Sequence, residues 1–168
     1  MSSTVQKTHF NFLTGLWFEM SIAKLDVFNQ AIQAVNLPGF SIGNTILDNP
    51  FIKIPIAGDH MVFDNLVVQF AIDEEFKAYR EIYDWAIQIG KPDELTQRPI
   101  DNKEVYSDGS IILFSSAKNA EMKIKIFDMI PIRVESLKLD YKDTDTNIIT
   151  STVTFSFRKY EIISLISI

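Results

Sequence analysis

Between Ile52 and Pro92 the spacing of apolar residues changes from two to about 3.6, and the rest of the chain reads as further strands. Ile52, Ile54 and Ile56 alternate with Lys53, Pro55 and Ala57, the period of a strand with one buried face. Gly58-Asp59 is turn chemistry, and Leu66, Val68, Phe70 and Ile72 define the inner face of a second strand over residues 63–72. From Asp73 a helix is predicted over about residues 74–89, with Phe76, Tyr79, Tyr83, Ala86 and Ile87 on one side. Asp73 suits the N-cap, Glu74 and Glu75 suit the positive end of the helix dipole, and Gly90 followed by Pro92 stops the helix. Strand, turn, strand and one helix are thus the fixed points around which the other segments are placed.

Residues 1–15 read as a lead-in arm, followed by a first strand in which Leu16, Phe18, Met20 and Ile22 alternate with polar positions. Leu25-Asp26 connects to a second strand over Phe28–Val35, which Asn36-Leu37-Pro38-Gly39 ends because Pro lacks an amide and restricts its predecessor. Residues 39–51 form a long loop or an extended hairpin, a usual place for a binding surface. Residues 91–103 read as a surface connection, and Ser107-Asp108-Gly109-Ser110 as a tight hairpin turn before Ile111–Phe114. Met122, Ile124 and Ile126 mark a strand interrupted near Pro131. Leu137, Leu139 and Tyr141, then Ile149, Val153, Phe155 and Phe157, flank the polar turn 143–147 in a long last hairpin. The sum is about eight strands and one helix: a single mainly β domain over residues 1–168, an antiparallel sandwich or partly closed barrel with one flanking helix.

The chain has no cysteine, which removes disulfides, thiolate metal sites and thiol nucleophiles. No apolar run reaches the ~18 residues of a membrane span, and the first residues carry no signal-peptide pattern, so synthesis in a cytoplasm is expected. The net charge of −6, without a Lys/Arg cluster, disfavours stable nucleic-acid binding, which needs a basic face to displace counterions. Transient passage of nucleic acid is compatible with it. Asp143, Asp145 and Asn147 have the spacing that opens a calcium loop, but Ile148 and Thr154 stand where Gly and Glu belong, so an Asx-rich turn is the better reading. Asp59, His60 and Asp64 are the one credible acid–base or metal set. With no third ligand at recognisable spacing, they read as a turn with local hydrogen bonds. Trp85, Tyr79 and Tyr83 have the spacing of a packed helix face more than of a stacking platform. No catalytic residue, metal or cofactor is expected. The apolar end, residues 162–168, would be a hazardous strand edge if left open, and Ile163, Leu165 and Ile166 are expected to pair with a neighbouring subunit.

From Trp17 to Tyr160 the order of segments resembles the tail tube proteins of contractile-tailed bacteriophages. The resemblance rests on a first strand pair leading to Leu37-Pro38, then Ile54-Pro55-Ile56-Ala57-Gly58-Asp59 and Phe63-Asp64. It continues through the acidic helix start, Arg80, Asp84-Trp85, Ile126 to Pro131, Leu137-Lys138-Leu139-Asp140-Tyr141 and a final strand closing at Tyr160. It implies six-membered rings of self-associated subunits stacked into a hollow virion tail tube, assembled in the host cytoplasm, that conducts the genome. Tail sheath, baseplate or tube-initiator and tape-measure proteins are the implied partners, with no membrane partner. Residues 39–51, with Phe40, Ile42, Ile46, Leu47 and Phe51, would then reach the adjacent ring. Thr150, Thr152, Thr154 and Ser156, or Lys138, Asp140 and Lys142, are the candidate channel-facing rows.

The apolar tail beyond Tyr160 and the unusual arm keep open a tube initiator, a terminator, a baseplate component or the tube of a related contractile secretion system. A monomeric β-sandwich ligand-binding module would instead use Trp17, Trp85 or residues 39–51, and a β-barrel enzyme would use Asp59, His60 and Asp64.

Overall fold

The computed structural model describes residues 17–90, 105–137, 139 and 148–165. The elements are β1 (Phe18–Ile22), α1 (Asp26–Ala31), β2 (Ile32–Asn36), β3 (Phe40–Asp48), β4 (Lys53–Phe63), β5 (Leu66–Ala71), α2 (Lys77–Gly90), β6 (Ser107–Phe114), β7 (Ala120–Val134), β8 (Thr150–Ser156) and β9 (Lys159–Ser164). The mainly β, antiparallel, sandwich-like class expected from the sequence is the one observed, and the sheet does not close into a barrel.

β7 holds the architecture together because it serves two sheet halves. Its first part, Met122 to Phe127, lies between β6 and β9, while Ile130 to Val134 pairs with β8. Between them the strand turns at Asp128, whose φ of 55° is unusual for a residue with a side chain. A register shift after Pro131 lets the ladder pass a residue without an amide, so the strand bends there where an interruption was expected. The strand order is β1-β6-β7-β8-β5-β2, with β9 added to β7, and β3 and β4 pair only with each other.

The core lies between the two halves and the helices. Met20, Ile111 and Ile124 are successive register partners across β1, β6 and β7, and Leu66–Phe155 and Val68–Val153 are partners across β5 and β8; all are buried. The alternation read for residues 66–72 and 149–157 thus gives the buried faces at Leu66, Val68, Phe70, Val153 and Phe155, with Ile72 and Phe157 partly buried and Ile149 exposed. Phe28 stands 4.9 Å from Phe70 and 6.3 Å from Phe155, ring centre to ring centre.

Phe28 reaches the core from a helix, which corrects the strand expected over Phe28–Val35. Residues 26–31 are helical, and the strand is confined to Ile32–Asn36. Leu25 offers no side-chain cap to α1. Instead, the Glu81 carboxylate of α2 accepts the N–H groups of Val27 and Phe28 at 3.2 and 2.9 Å. A helix that local sequence leaves uncapped is therefore closed by a residue more than fifty positions away.

α2 starts later than expected. Residues 74–76 precede it, with Phe76 at φ 57°, so Glu74 and Glu75 are not in its first turn. Asp73 still caps it, accepting the N–H groups of Lys77 and Ala78 at 3.0 and 3.1 Å. The bond from Lys77, followed by that from Ala78, holds the Asp73 carboxyl below the usual aspartate range. The buried face is also not the expected one. Ala78, Ile82 and Trp85 face the core, while Phe76, Tyr83 and Ile87 are exposed. The helix carries two apolar stripes. The one bearing Trp85, whose Nε1 donates to the Val105 carbonyl at 2.9 Å and whose ring lies 6.0 Å from Phe155, occupies the interior.

Two glycine pairs read as turns lie inside strands. Asp108-Gly109 belongs to β6, where a Cβ on Gly109 would stand 2.7 Å from Met129 Sδ, so the residue serves close packing. The reversal occurs at residues 115–119, closed by Ser115 and Asn119. Gly58-Asp59 lies within β4 at a bulge, and a Cβ on Gly58 would meet the Gly43 carbonyl oxygen at 2.4 Å. The first arm of the expected last hairpin is also absent where it is described. Leu137 and Leu139 are in no strand, and β8 pairs with β5 and β7. The final strand is broken at Phe157-Arg158, which divides β8 from β9. The expected arm 1–15, the connection 91–103, the turn 143–147, the rows of Lys138, Asp140, Tyr141 and Lys142, and Ile166 lie outside the described residues.

Candidate assembly surface

β3 and β4 form a ribbon that belongs to neither sheet half. The stretch 39–51, read as a loop or an extended hairpin, is one arm of it. Adjacent strand residues point to opposite faces. The cross-strand pair Ile46–Pro55 therefore occupies one face, and Leu47–Ile54 and Thr45–Ile56 the other. Both faces carry exposed apolar side chains, and the Ile46–Pro55 face also carries Asn44 and the Asp48–Lys53 pair. Phe40, Ile42, Ile46 and Leu47 are each more than half exposed, and Ile52, Ile54 and Ile56, expected on a half-buried strand, are exposed as well. At its root the ribbon is fastened by the Asp64 N–H to the Gly39 carbonyl, 3.0 Å, and by Phe63, whose ring lies 5.8 Å from Phe157 and 5.1 Å from Tyr160. At its tip Asn49 and Ile52 exchange backbone hydrogen bonds of 3.3 Å, and Phe51 is 92% exposed. An isolated two-stranded ribbon is marginal in water, and one with apolar side chains on both faces and two open edges invites a partner.

The C-terminal segment is a second apolar region. β9 pairs with β7 in the register Ile162–Ile124, Ile163–Lys123 and Ser164–Met122, so one edge of this segment is satisfied within its own chain. Its other edge has no strand partner among the described residues, and Ile162 and Leu165 remain exposed. A hydrogen bond from Lys159, with the charges of Lys159 and Lys125, holds the Glu161 carboxyl below its ordinary range. The outer face of β5 and β8 is different in kind. Gln69, Thr150, Thr152 and Thr154 share it with Val67 and Ala71, Gln69 donating to Thr150 Oγ1 at 3.2 Å, so these two strands put no charge on this face and the nearest one is Arg133 of β7, the register partner of Thr154.

A cavity of about 690 Å³ opens where β7 bends, between the start of β6 and the end of β8. Tyr106, Ile130 and Phe157 supply apolar walls, and Asp108, Asp128 and Arg158 supply charge. Arg158 Nε lies 2.7 Å from Asp128 Oδ2, and the Asp128 N–H donates to Asp108 Oδ1 at 3.1 Å. Ser107, buried in the wall, has a hydroxyl with no hydrogen-bond partner among the described residues.

The acid–base candidates do not converge. His60 Nδ1 lies 2.5 Å from Asp59 Oδ1, both side chains more than four-fifths exposed on the ribbon, while Asp64 stands at its root. Among the described residues no three His, Asp or Glu groups gather as a metal site. Trp85 is buried and cannot be a ligand platform; Trp17 is half exposed, with Lys118 Nζ 4.3 Å from its ring centre. No helix of the described residues is long and apolar enough to cross a membrane.

No family model and no curated protein sequence matches the chain. Solved structures do. The chain is similar to the tube-terminating cap of the anti-feeding prophage, with a TM-score of 0.69 and 13% identity over 98% of this chain and 99% of that one. It is similar to a chain of the sheath–tube complex of the extracellular contractile injection system PVC in its extended state, TM-score 0.65 and 14% identity, covering 96% and 95%. It is equally similar to a chain of the sheath/tube terminator of that system, TM-score 0.65 and 13% identity, covering 93% and 99%. At these identities the likeness is one of fold, and that fold is the tube-protein fold implied by the sequence resemblance.

Proposed function

We propose that this chain is a structural subunit of a contractile tail or injection tube, self-associating into six-membered rings that stack into a conduit. The observation that carries the reading is the β3–β4 ribbon, with exposed apolar side chains on both faces, borne by a fold shared with tube and tube-terminator chains. A monomeric enzyme or ligand module has no use for apolar side chains bared on two faces, whereas a subunit that meets copies on both sides does. The role is mechanical and needs no catalytic group or cofactor. The ribbon residues Phe40, Ile42, Ile46, Leu47 and Phe51, and Ile163, Leu165 and Ile166 of the C-terminal segment, form the subunit contacts. The uncharged row of Gln69 and the threonines is suited to a channel wall that binds nothing tightly, and the net charge of −6 repels a nucleic-acid backbone in transit. Sheath, baseplate or initiator and tape-measure proteins are the partners, in a tail or injection particle assembled in the host cytoplasm. A single domain over residues 1–168 completes the proposal.

A second reading, a tube terminator or cap, is favoured by the likeness in fold to the tube-terminating cap, TM-score 0.69 against 0.65 for the sheath–tube chain. Solution mass together with negative-stain images of the purified chain tests both. Stacked rings are expected of a tube subunit, and rings that never stack of a terminator. A chain that remains monomeric at high concentration, even when supplied with preformed tube ends, would refute both.

A further inference from the structure

Phe51 is the most exposed large apolar side chain among the described residues, at 92%. It sits in a reversal whose only backbone hydrogen bonds join Asn49 and Ile52, so its own N–H and the Pro50 carbonyl have no partner among those residues. The cavity at the bend of β7 offers apolar walls and a buried Ser107 hydroxyl with no partner among the described residues. We propose that Phe51 of one copy seats in this cleft of the next copy.

The chemistry on the two sides matches. About 690 Å³ is ample for an aromatic ring and the turn that carries it, between Tyr106, Ile130 and Phe157. The Ser107 hydroxyl can bond the Pro50 carbonyl or the Phe51 N–H, which gives the buried hydroxyl a partner in exchange for a backbone group's bond to water. Asp48 and Lys53 are cross-strand neighbours beside the tip, and in the cleft Arg158 is paired with Asp128, which leaves the Asp108 carboxylate for Lys53. The contact cannot form within one chain. Phe157, a wall of the cleft, stacks with Phe63 at the root of the ribbon, whereas the tip lies an eleven-residue strand away. That is a separation on the order of 30 Å. Knob and hole at different places on one chain make a head-to-tail contact, which propagates from copy to copy where a two-fold contact would stop at a dimer. This contact rests on the self-assembly reading and names the surfaces that carry it.

The chain has no cysteine, so pairs can be introduced against a clean background. Phe51→Cys with Tyr106→Cys, joined by oxidation or a short bis-maleimide during assembly, is expected to give covalent multimers above the dimer on a denaturing gel. Phe51→Cys with Tyr83→Cys, on the exposed face of α2, is expected to give none. Phe51→Ala is expected to raise the concentration at half-assembly by roughly tenfold or more while leaving the monomer folded. Wild-type particles that assemble while the Phe51/Tyr106 pair fails to link, or that tolerate Phe51→Ala, overturn this contact and leave self-assembly standing. A wild-type chain that never assembles overturns both.

Discussion

Glu81 shows how a single side chain fixes structure at a distance. Its two carboxylate oxygens accept the first free N–H groups of α1, so α1, α2 and the Phe28 that α1 inserts into the core are held as one unit. Removing an N-terminal cap usually costs about 1 kcal/mol, and up to about 2 in a folded protein. Glu81→Ala is expected to destabilise the chain by that amount, and Glu81→Gln, which keeps one acceptor, by less. Urea unfolding followed by Trp85 fluorescence measures it. Equal losses from the two variants would mean that packing, and not the hydrogen bonds, holds α1. None of this is legible locally. Asp26-Val27-Phe28-Asn29 has no cap of its own, and a helix of only six residues is absorbed into the strand expected over Phe28–Val35 until Glu81 is folded against it.

At the scale of elements, the residues whose burial was misread share a property. Ile54 and Ile56 on β4, Phe76 just before α2, and Tyr83 and Ile87 on α2 have the periodicity of buried faces and are exposed. Alternation states that a face must be covered. It does not state which molecule covers it. For α2, two apolar stripes compete, and Trp85 takes the interior because its indole N–H finds the Val105 carbonyl. For β4, no surface among the described residues covers it. Replacing Ile46, Leu47 and Ile54 together by Ser is therefore expected to leave the thermal midpoint of the monomer within a few degrees while abolishing higher assembly. Calorimetry at low concentration and light scattering at high concentration separate the two effects. A collapse of the monomer would show the ribbon to be part of the core.

The whole molecule is built as two sheet halves sharing β7, with the core and helices between them and the ribbon outside. Such a body has enough interior to fold by itself, while its largest apolar display is met only in company. Anything that binds the folded state and not the unfolded one raises apparent stability by mass action. The unfolding midpoint of the wild-type chain is expected to rise with protein concentration, and that of the ribbon serine variant to stay constant. A wild-type midpoint independent of concentration would argue against self-association through the ribbon.

By itself the sequence determined which segments around the core alternate and that a helix follows Asp73. Leu66, Val68 and Phe70 on β5, and Val153 and Phe155 on β8, were legible because polar partners stand opposite them and a period of two admits one reading. Gly90 and Asp73 marked the reach of the helix within a few residues for reasons equally local. The tertiary structure decided the rest. It put Asp108-Gly109 and Gly58-Asp59 inside strands, where a glycine permits close approach as well as it permits a turn. It also capped α1 from α2, bent β7 at Asp128 and brought Tyr106, Ile130 and Phe157 around one cleft. Local chemistry limits the conformations a segment can adopt, but the contact that selects among them comes from residues far away in the chain.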